Sequence, residues 1–258
     1  MTAVVVGIPH TAPFPGAVVE ALWLLEKPEG TTLRRMPNRP VDEARNRLAL
    51  WALQKRASHL LFWDADARPP AGGLMRLLGR EKDVVSGLSF GRRWPHFPVS
   101  LASEWQDGAS ARYTVDVEET SAFLERHRRL WPSGNFQSAL LPQDTAGALV
   151  ERAAVGMAFT LVRCEVLQAV VPDWKEAWEA GRLPDWFRTA DGFTGEDSYF
   201  CRLARKRGWA VWLDRTVVVG HGYGDAYAGP MDWLGWMAYL KTLPPDEFER
   251  LAKQGVDL

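Results

Sequence analysis

Apolar positions in the first part of the chain follow two alternating periods. Short apolar runs, typical of buried strands, are separated by segments in which apolar residues recur every three or four positions, as on one face of a helix. In the clearest such segment, 42–57, one stripe contains Ala44, Leu48, Trp51 and Ala52. The predicted strands are 3–8, 31–36, 60–63 and 83–90, and the predicted helices are 16–26, 42–57 and 73–78. This alternation predicts an α/β fold with a mostly parallel sheet covered by helices.

The alternation stops after residue 91 and returns near residue 153. Between them we expect a basic loop, an edge strand at 113–117 and a polar helix at 117–130, forming an elaboration that shapes a substrate pocket. The later elements are predicted as a strand at 153–162, helices at 165–170 and 198–207, strands at 209–213 and 216–219, and C-terminal helices at 231–240 and 246–253.

Composition limits the class of protein. A chain of 258 residues with 47% apolar residues is expected to form one domain with a sizeable core. Its net charge of −1 argues against general nucleic-acid binding, which requires excess positive charge. Its two cysteines, Cys164 and Cys201, are too few for a disulfide framework. Without a recognisable signal peptide or a membrane-spanning apolar run, we expect a cytoplasmic protein.

Two acidic residues, Asp64 and Asp66, directly follow the apolar run 60–63, and the prolines Pro69 and Pro70 come soon after. Ligands of open α/β sheets bind at the carboxyl ends of the strands. Carboxylates at such a position are suited to hold Mg²⁺ or Mn²⁺, which prefer oxygen ligands. A solvated turn at the end of the strand would explain the same pair.

Two more stretches place chemically useful residues at the ends of predicted elements. Glu196 and Asp197 come just before the predicted helix 198–207, and the glycine-flanked His221 follows the last predicted strand. Helix capping and a packed loop histidine are the ordinary explanations. The alternative is one cleft, in which Asp64, Asp66 and His221 hold a divalent cation and Glu196 and Asp197 face the reacting group.

Taken in order, these segments resemble the GT-A fold glycosyltransferases of the inverting, family-2-like group. The resemblance covers about 3–95 and 153–224. DAD at 64–66 is similar to the DxD motif, GEDSYFC at 195–201 to the ED motif, and His221 to the late metal-binding histidine. It implies a Rossmann-like, mixed and mostly parallel sheet in a single domain over 1–258.

The resemblance also implies that different parts of the chain have different functions. Residues of about 1–95 would form the nucleotide-sugar-binding half and about 153–224 the acceptor and catalytic half. Residues 96–152 would be an insertion, and 225–258 would form C-terminal helices. The implied activity is that of a hexosyltransferase-like enzyme, which moves a sugar from a UDP- or GDP-sugar to an acceptor hydroxyl with Mn²⁺ or Mg²⁺. Inversion is expected, with retention as the alternative.

Residue roles carry over from the resemblance. Asp64, Asp66 and His221 would bind the metal, and Asp197 would be the catalytic base, with Glu196 as the second choice. Residues implied at the donor are Pro9, His10, Thr11, Arg45, Asp64, Ala65, Asp66, Arg92 and Arg93. Those implied at the acceptor are Gly156, Met157, Trp186 and Glu196. As an ordinary alternative, Arg45 and Asn46 would be surface polar residues.

Two other functions fit the same pattern. A nucleotidyltransferase shares the sheet and the metal-binding acids, but favours a basic, glycine-rich phosphate loop after the first strand. The loop here, IPHTAPFPG at 8–16, has no Lys or Arg. A non-catalytic carbohydrate-binding protein of the same fold is the third alternative. A lipid-linked acceptor would have to be reached by peripheral contact with a membrane.

Overall fold

A computed structural model describes residues 3–10, 14, 16–91, 98–107, 110–115, 118–130, 138–189, 195–223, 226–240 and 242. The strands are β1 Val4–His10, β2 Thr32–Pro37, β3 His59–Trp63, β4 Ala67–Arg68, β5 Val84–Ser89, β6 Ser100–Asp107, β7 Ser110–Val115, β8 Ala139–Leu140, β9 Leu149–Glu151, β10 Ala154–Val155, β11 Phe159–Arg163, β12 Val211–Tyr223 and β13 Ala226–Ala228. The helices are α1 Gly16–Leu24, α2 Val41–Gln54, α3 Gly73–Gly79, α4 Glu118–Arg126, α5 Cys164–Val170, α6 Trp174–Glu179, α7 Glu196–Lys206 and α8 Pro230–Leu240, with a 3₁₀ turn at Arg128–Leu130.

The main sheet confirms the predicted fold class. Its strand order is β13-β12-β5-β11-β3-β1-β2, and β4, β8 and β9 also pair with β12. Strands β2, β1, β3, β5 and β12 run parallel to one another, whereas β11 runs antiparallel between β3 and β5. The carboxyl ends of the parallel strands therefore lie at one edge of the sheet, together with the beginning of β11.

The apolar run at the centre of the sheet supplies both faces of the core. Because side chains alternate along a strand, Leu60 and Phe62 pack on the side covered by α2, α5 and α7, and Leu61 and Trp63 on the side covered by α1 and α3. All four side chains are fully buried. This double burial holds the end of β3, and the acidic residues after it, in a fixed place.

The predicted strand 153–162 is two strands, and the prediction of one was wrong. β10 pairs with β6 in a small sheet with β7, whereas β11 belongs to the main sheet. The chain turns between them at Gly156, which lies against Val99: a Cβ at Gly156 would be 2.5 Å from Val99 Cγ1. Close packing of Val99 thus explains this glycine. The predicted strand at 113–117 lies at 110–115, in the small sheet.

The predicted strands 209–213 and 216–219 are one continuous strand, β12, which also includes His221. Its register shifts between Asp214 and Val218. The buried Asp214 carboxylate accepts hydrogen bonds from Arg80 Nε at 2.6 Å and from Thr216 Oγ1 at 2.6 Å. This local bonding accompanies the shift of register, and the strand continues through it. The expectation that His221 follows the last strand was therefore wrong.

Both cysteines, Cys164 and Cys201, are free and buried, and burial raises the pKa of each thiol to about 12. The predicted helix 246–253 lies outside the described residues. Among the helices that the structure describes, none is long and apolar enough to cross a membrane.

Candidate functional site

The acidic turn after β3 is held by backbone hydrogen bonds. Asp64 N donates to Ala158 O at 3.0 Å, and Ala67 N donates to Asp64 O at 2.9 Å. Gly222 N, in β12, donates to Asp66 O at 2.8 Å. These bonds tie the turn both to the beginning of β11 and to the end of β12. Asp64 and Asp66 therefore lie at the carboxyl edge of the parallel strands, where the sequence predicted them.

His221 reaches the same edge because β12 pairs with β4, with His221 opposite Ala67. Its Nδ1 lies 2.9 Å from Phe90 O, so Nδ1–H donates to that carbonyl and Nε2 is left to face the acids. Nε2 lies 3.4 Å from Asp66 Oδ1. Burial disfavours the charged imidazole, but hydrogen bonding and charge from Asp66 outweigh it and raise the pKa of His221.

Asp64, Asp66 and His221 form a donor set that fits a divalent cation. One ligand atom from each residue lies within 4.8 Å of the other two, and all three side chains are half-buried. Carboxylates suit Mg²⁺ and Mn²⁺, and imidazole suits transition metals. The bond from Nδ1 to a backbone carbonyl is the usual arrangement behind a metal-binding histidine. The chemistry of these groups is therefore compatible with the Mn²⁺ or Mg²⁺ that the sequence predicted.

Arg45 joins the acidic turn to the beginning of α7. It is 2% exposed, and its Nη2 donates to Asp64 Oδ1 at 2.9 Å while Nη1 donates to Glu196 and Asp197. Burial opposes its charge, but Asp197, Asp64 and Glu196 outweigh burial and raise the pKa of Arg45. Arg45 therefore faces three carboxylates and is buried, so the alternative of a surface polar residue was wrong, whereas the implied contact of Arg45 with the donor stays a prediction.

Asp197 is in the first turn of α7, which begins two residues earlier than predicted. Its Oδ2 accepts a hydrogen bond from Met157 N at 3.1 Å, and a quarter of its side chain is exposed. Burial raises the pKa of Asp197 to about 7, assisted by Glu196 and Asp64 and opposed by Arg45 and the Met157 amide. A single guanidinium cannot neutralise three carboxylates, so one of them holds a proton more readily.

Asn46, next to Arg45 on α2, is buried, so the expectation of a surface polar residue was wrong for it as well. Its Oδ1 accepts hydrogen bonds from Trp186 N at 2.9 Å and Phe187 N at 2.8 Å, and its Nδ2 donates to Phe187 O at 2.8 Å. Trp186 is fully buried, and its Nε1 donates to Leu167 O at 2.7 Å. The predicted contact of Trp186 with an acceptor was therefore wrong, because this indole belongs to the core.

The remaining predicted donor and acceptor residues differ in burial, and some lie outside the described residues. Pro9 is buried and His10 half-buried at the end of β1, and Ala65 is half-buried between the two acids. Met157 is buried, so what it presents to Asp197 is its backbone amide. Thr11, Arg92 and Arg93 lie outside the described residues.

Two clefts lie at opposite edges of the sheet. A cleft of about 310 Å³ is lined by His10, Leu33, Arg34, Arg35 and Pro37, where β1 and β2 end. Its two arginines were not among the predicted site residues, although their adjacency in a predicted strand was a visible signal. A larger cleft of about 630 Å³ includes His59 and Arg163 and opens at the other edge, away from the acidic turn.

No protein-family profile matches the chain, and no curated protein matches it. Among solved structures, A197 from STIV is 14% identical, with a TM-score of 0.50 over 90% of this chain and 92% of that chain. GalNAc-T7 with UDP, GalNAc and Mn²⁺ is 11% identical, with a TM-score of 0.45 over 92% of this chain and 47% of that chain. 4-Diphosphocytidyl-2C-methyl-D-erythritol synthase from Anaerococcus prevotii DSM 20548 is 11% identical, with a TM-score of 0.39 over 93% and 100%. The similarity to A197 from STIV supports the α/β fold, and identities this low carry no information about activity.

Proposed function

We propose that this protein is a metal-dependent glycosyltransferase that moves a sugar from a UDP- or GDP-sugar to an acceptor hydroxyl, with inversion. The observation that carries the proposal is the placement of Asp197 relative to the cation-binding set Asp64, Asp66 and His221. A single guanidinium, that of Arg45, contacts both Asp64 and Asp197. The order of the DxD-like, ED-like and histidine segments supports the same reaction.

Asp197 is suited to act as the base of an inverting transfer. The acceptor oxygen would attack the anomeric carbon, the bond from that carbon to the phosphate oxygen would break, and the nucleoside diphosphate would leave. The acceptor proton would pass to Asp197. A base is most effective when its pKa is close to the working pH, and a pKa of about 7 meets that condition.

Asp64, Asp66 and His221 would hold Mn²⁺ or Mg²⁺, which as a Lewis acid would stabilise charge on the departing diphosphate. Pro9, His10 and Ala65 would line the nucleoside side. The cleft of about 310 Å³ that His10 lines supports the placement of His10. Thr11, Arg92 and Arg93 are retained as donor contacts from the sequence resemblance. Glu196 and the backbone at Gly156 and Met157 would border the acceptor.

Calorimetric titration of UDP, GDP, CDP and ADP, each with Mn²⁺ and again with a chelator, tests the donor site. We expect one diphosphate to bind only with Mn²⁺, and the Asp64→Ala, Asp66→Ala double variant to lose this binding. The exposed Asp173, on the loop before α6, offers a control in Asp173→Ala. Metal-independent binding, or no binding of any diphosphate, would contradict the proposal.

Analysis of products distinguishes the reaction classes. Incubation of the preferred nucleotide-sugar with candidate acceptors should release the nucleoside diphosphate and form a glycoside. Release of pyrophosphate from a nucleoside triphosphate and a sugar phosphate would instead indicate a nucleotidyltransferase. Glycan binding without turnover would indicate the carbohydrate-binding alternative.

A further inference from the structure

Arg45 lies between the proposed cation site and the two acids at the beginning of α7. One of its terminal nitrogens contacts Asp64 of the cation-binding set, and the other contacts Glu196 and Asp197 on α7. Its Nε atom has no hydrogen-bond partner among the residues that the structure describes. The side chain therefore acts through the two ends of its fork, each aimed at a different element.

The shape of the guanidinium matters in this arrangement. Arginine presents donors in a rigid planar fork, whereas lysine presents one compact ammonium group that cannot span the same separation. The Arg45 side chain is 3% exposed, so its guanidinium is oriented by these carboxylates and not by water. A carboxylate has two oxygen atoms, and Asp64 can accept from Arg45 and still bind a cation.

We propose that Arg45 is a positioning residue that couples the cation site to the acceptor side, because its fork sets Asp64 and the pair Glu196 and Asp197 in one fixed arrangement. This inference rests on the proposed function. Binding of a cation by Asp64 then depends on the contacts of residues that do not themselves touch the cation. Conversely, a substitution of Glu196 or Asp197 on α7 changes the affinity for the cation, because it alters the contacts of Arg45.

The Arg45→Lys variant tests the fork while it keeps the charge. We expect its affinity for Mn²⁺, titrated without substrates at about pH 8, to fall about fivefold. With Mn²⁺ saturating, its kcat should fall while the KM for the nucleotide-sugar changes little. Arg47→Lys is the matched control, since Arg47 is on the same helix but pairs at the surface with Glu43. An Arg45→Lys affinity within about twofold of the wild type would overturn the inference.

A double-mutant cycle separates coupling through the fork from simple charge. We expect Asp197→Asn to change Mn²⁺ affinity at least about threefold more in the wild type than in Arg45→Lys, since both backgrounds have the same charge. Equal effects in the two backgrounds would contradict coupling through the guanidinium.

A second variant and the wild-type protein complete the test. If Arg45→Lys does not fold, Glu196→Asp keeps the charge but shortens the reach to Arg45, and we expect a change of about threefold in Mn²⁺ affinity. An unchanged affinity in that variant would overturn the coupling. A wild-type protein that binds no Mn²⁺ would remove the proposed function as well, whereas normal binding without these effects removes this inference alone.

Discussion

The backbone amide of Met157 donates a hydrogen bond to Asp197 Oδ2 at 3.1 Å. This contact joins the turn between β10 and β11 to the first turn of α7, across 40 residues of chain. Arg45 contacts the other oxygen, Oδ1. The carboxylate is thus held from two sides by groups from different elements, and only its remaining exposed part is available to an acceptor.

Replacement of the proposed base gives the most direct prediction. Asp197→Asn should lower kcat by about 10²- to 10⁴-fold, because the amide cannot take the acceptor proton. With Mn²⁺ saturating, binding of the nucleoside diphosphate should persist, which titration can check on the same sample. Asp173→Asn, at an exposed position, is the control. Turnover of Asp197→Asn within about twofold of the control would show that another group is the base.

The raised pKa of Asp197 predicts a pH dependence of stability. The folded pKa is about 7, whereas an unfolded aspartate titrates near pH 4. The stabilisation from this group is complete below about pH 4 and is lost as pH rises through about 7. Across that window we expect the free energy of unfolding of the metal-free protein to fall by about 4 kcal/mol relative to Asp197→Asn, because each of roughly three pKa units is worth about 1.4 kcal/mol.

Urea denaturation at several pH values, with a chelator present, measures this difference. Asp173→Asn should follow the wild type at every pH, because Asp173 is exposed. If the wild type and Asp197→Asn instead change in parallel with pH, the carboxyl group of Asp197 does not have a raised pKa.

The proposed cation-binding set predicts that the affinity for Mn²⁺ depends on the imidazole of His221. His221→Ala and Asp66→Ala should each weaken Mn²⁺ binding at least about tenfold, and the rise in unfolding temperature on addition of Mn²⁺ should shrink accordingly. His59→Ala is the matched control, because His59 begins β3 at the opposite edge of the sheet. Equal Mn²⁺ affinity in His221→Ala and His59→Ala would exclude His221 as a ligand.

Asn46 predicts a large loss of stability without any role in the chemistry. Asn46→Ala would leave the Trp186 and Phe187 amides and the Phe187 carbonyl without their buried partner. We expect the free energy of unfolding to fall by about 3 kcal/mol, measured by chemical denaturation. Arg47→Ala, on the surface of the same helix, should cost within about 0.5 kcal/mol. A loss in Asn46→Ala no greater than in that control would contradict this account.

Local patterns were sufficient to predict the acidic turn. The strand before Asp64 is buried on both faces, and the acids follow it directly, so one short segment contains both signals. The parallel edge then brings His221 to the same place, although the sequence put it after the strand and not within it. Similarly, the apolar stripe predicted a helix at 42–57, and the structure has α2 at Val41–Gln54.

What the sequence did not reveal depends on distant partners. Arg45 is buried against three acids that lie 19, 151 and 152 residues away along the chain. No local sequence pattern encodes those pairings. The break at Gly156 arises from Val99, in a different part of the chain. Trp186 could not be assigned from its type, since an indole serves equally well in a core or on a sugar-binding surface.

The course of β12 has a consequence for ion selectivity. His221 is inside this strand, with β4 and β13 both paired to it at that residue, and the next amide binds the carbonyl of Asp66. The sheet therefore fixes the backbone of His221, and the hydrogen bond from Nδ1 to Phe90 O orients its ring. Ca²⁺ prefers six to eight oxygen ligands in a wide and flexible shell. In the proposed cation site, a ligand fixed in this way next to two carboxylates would favour smaller ions such as Mn²⁺ or Mg²⁺ over Ca²⁺.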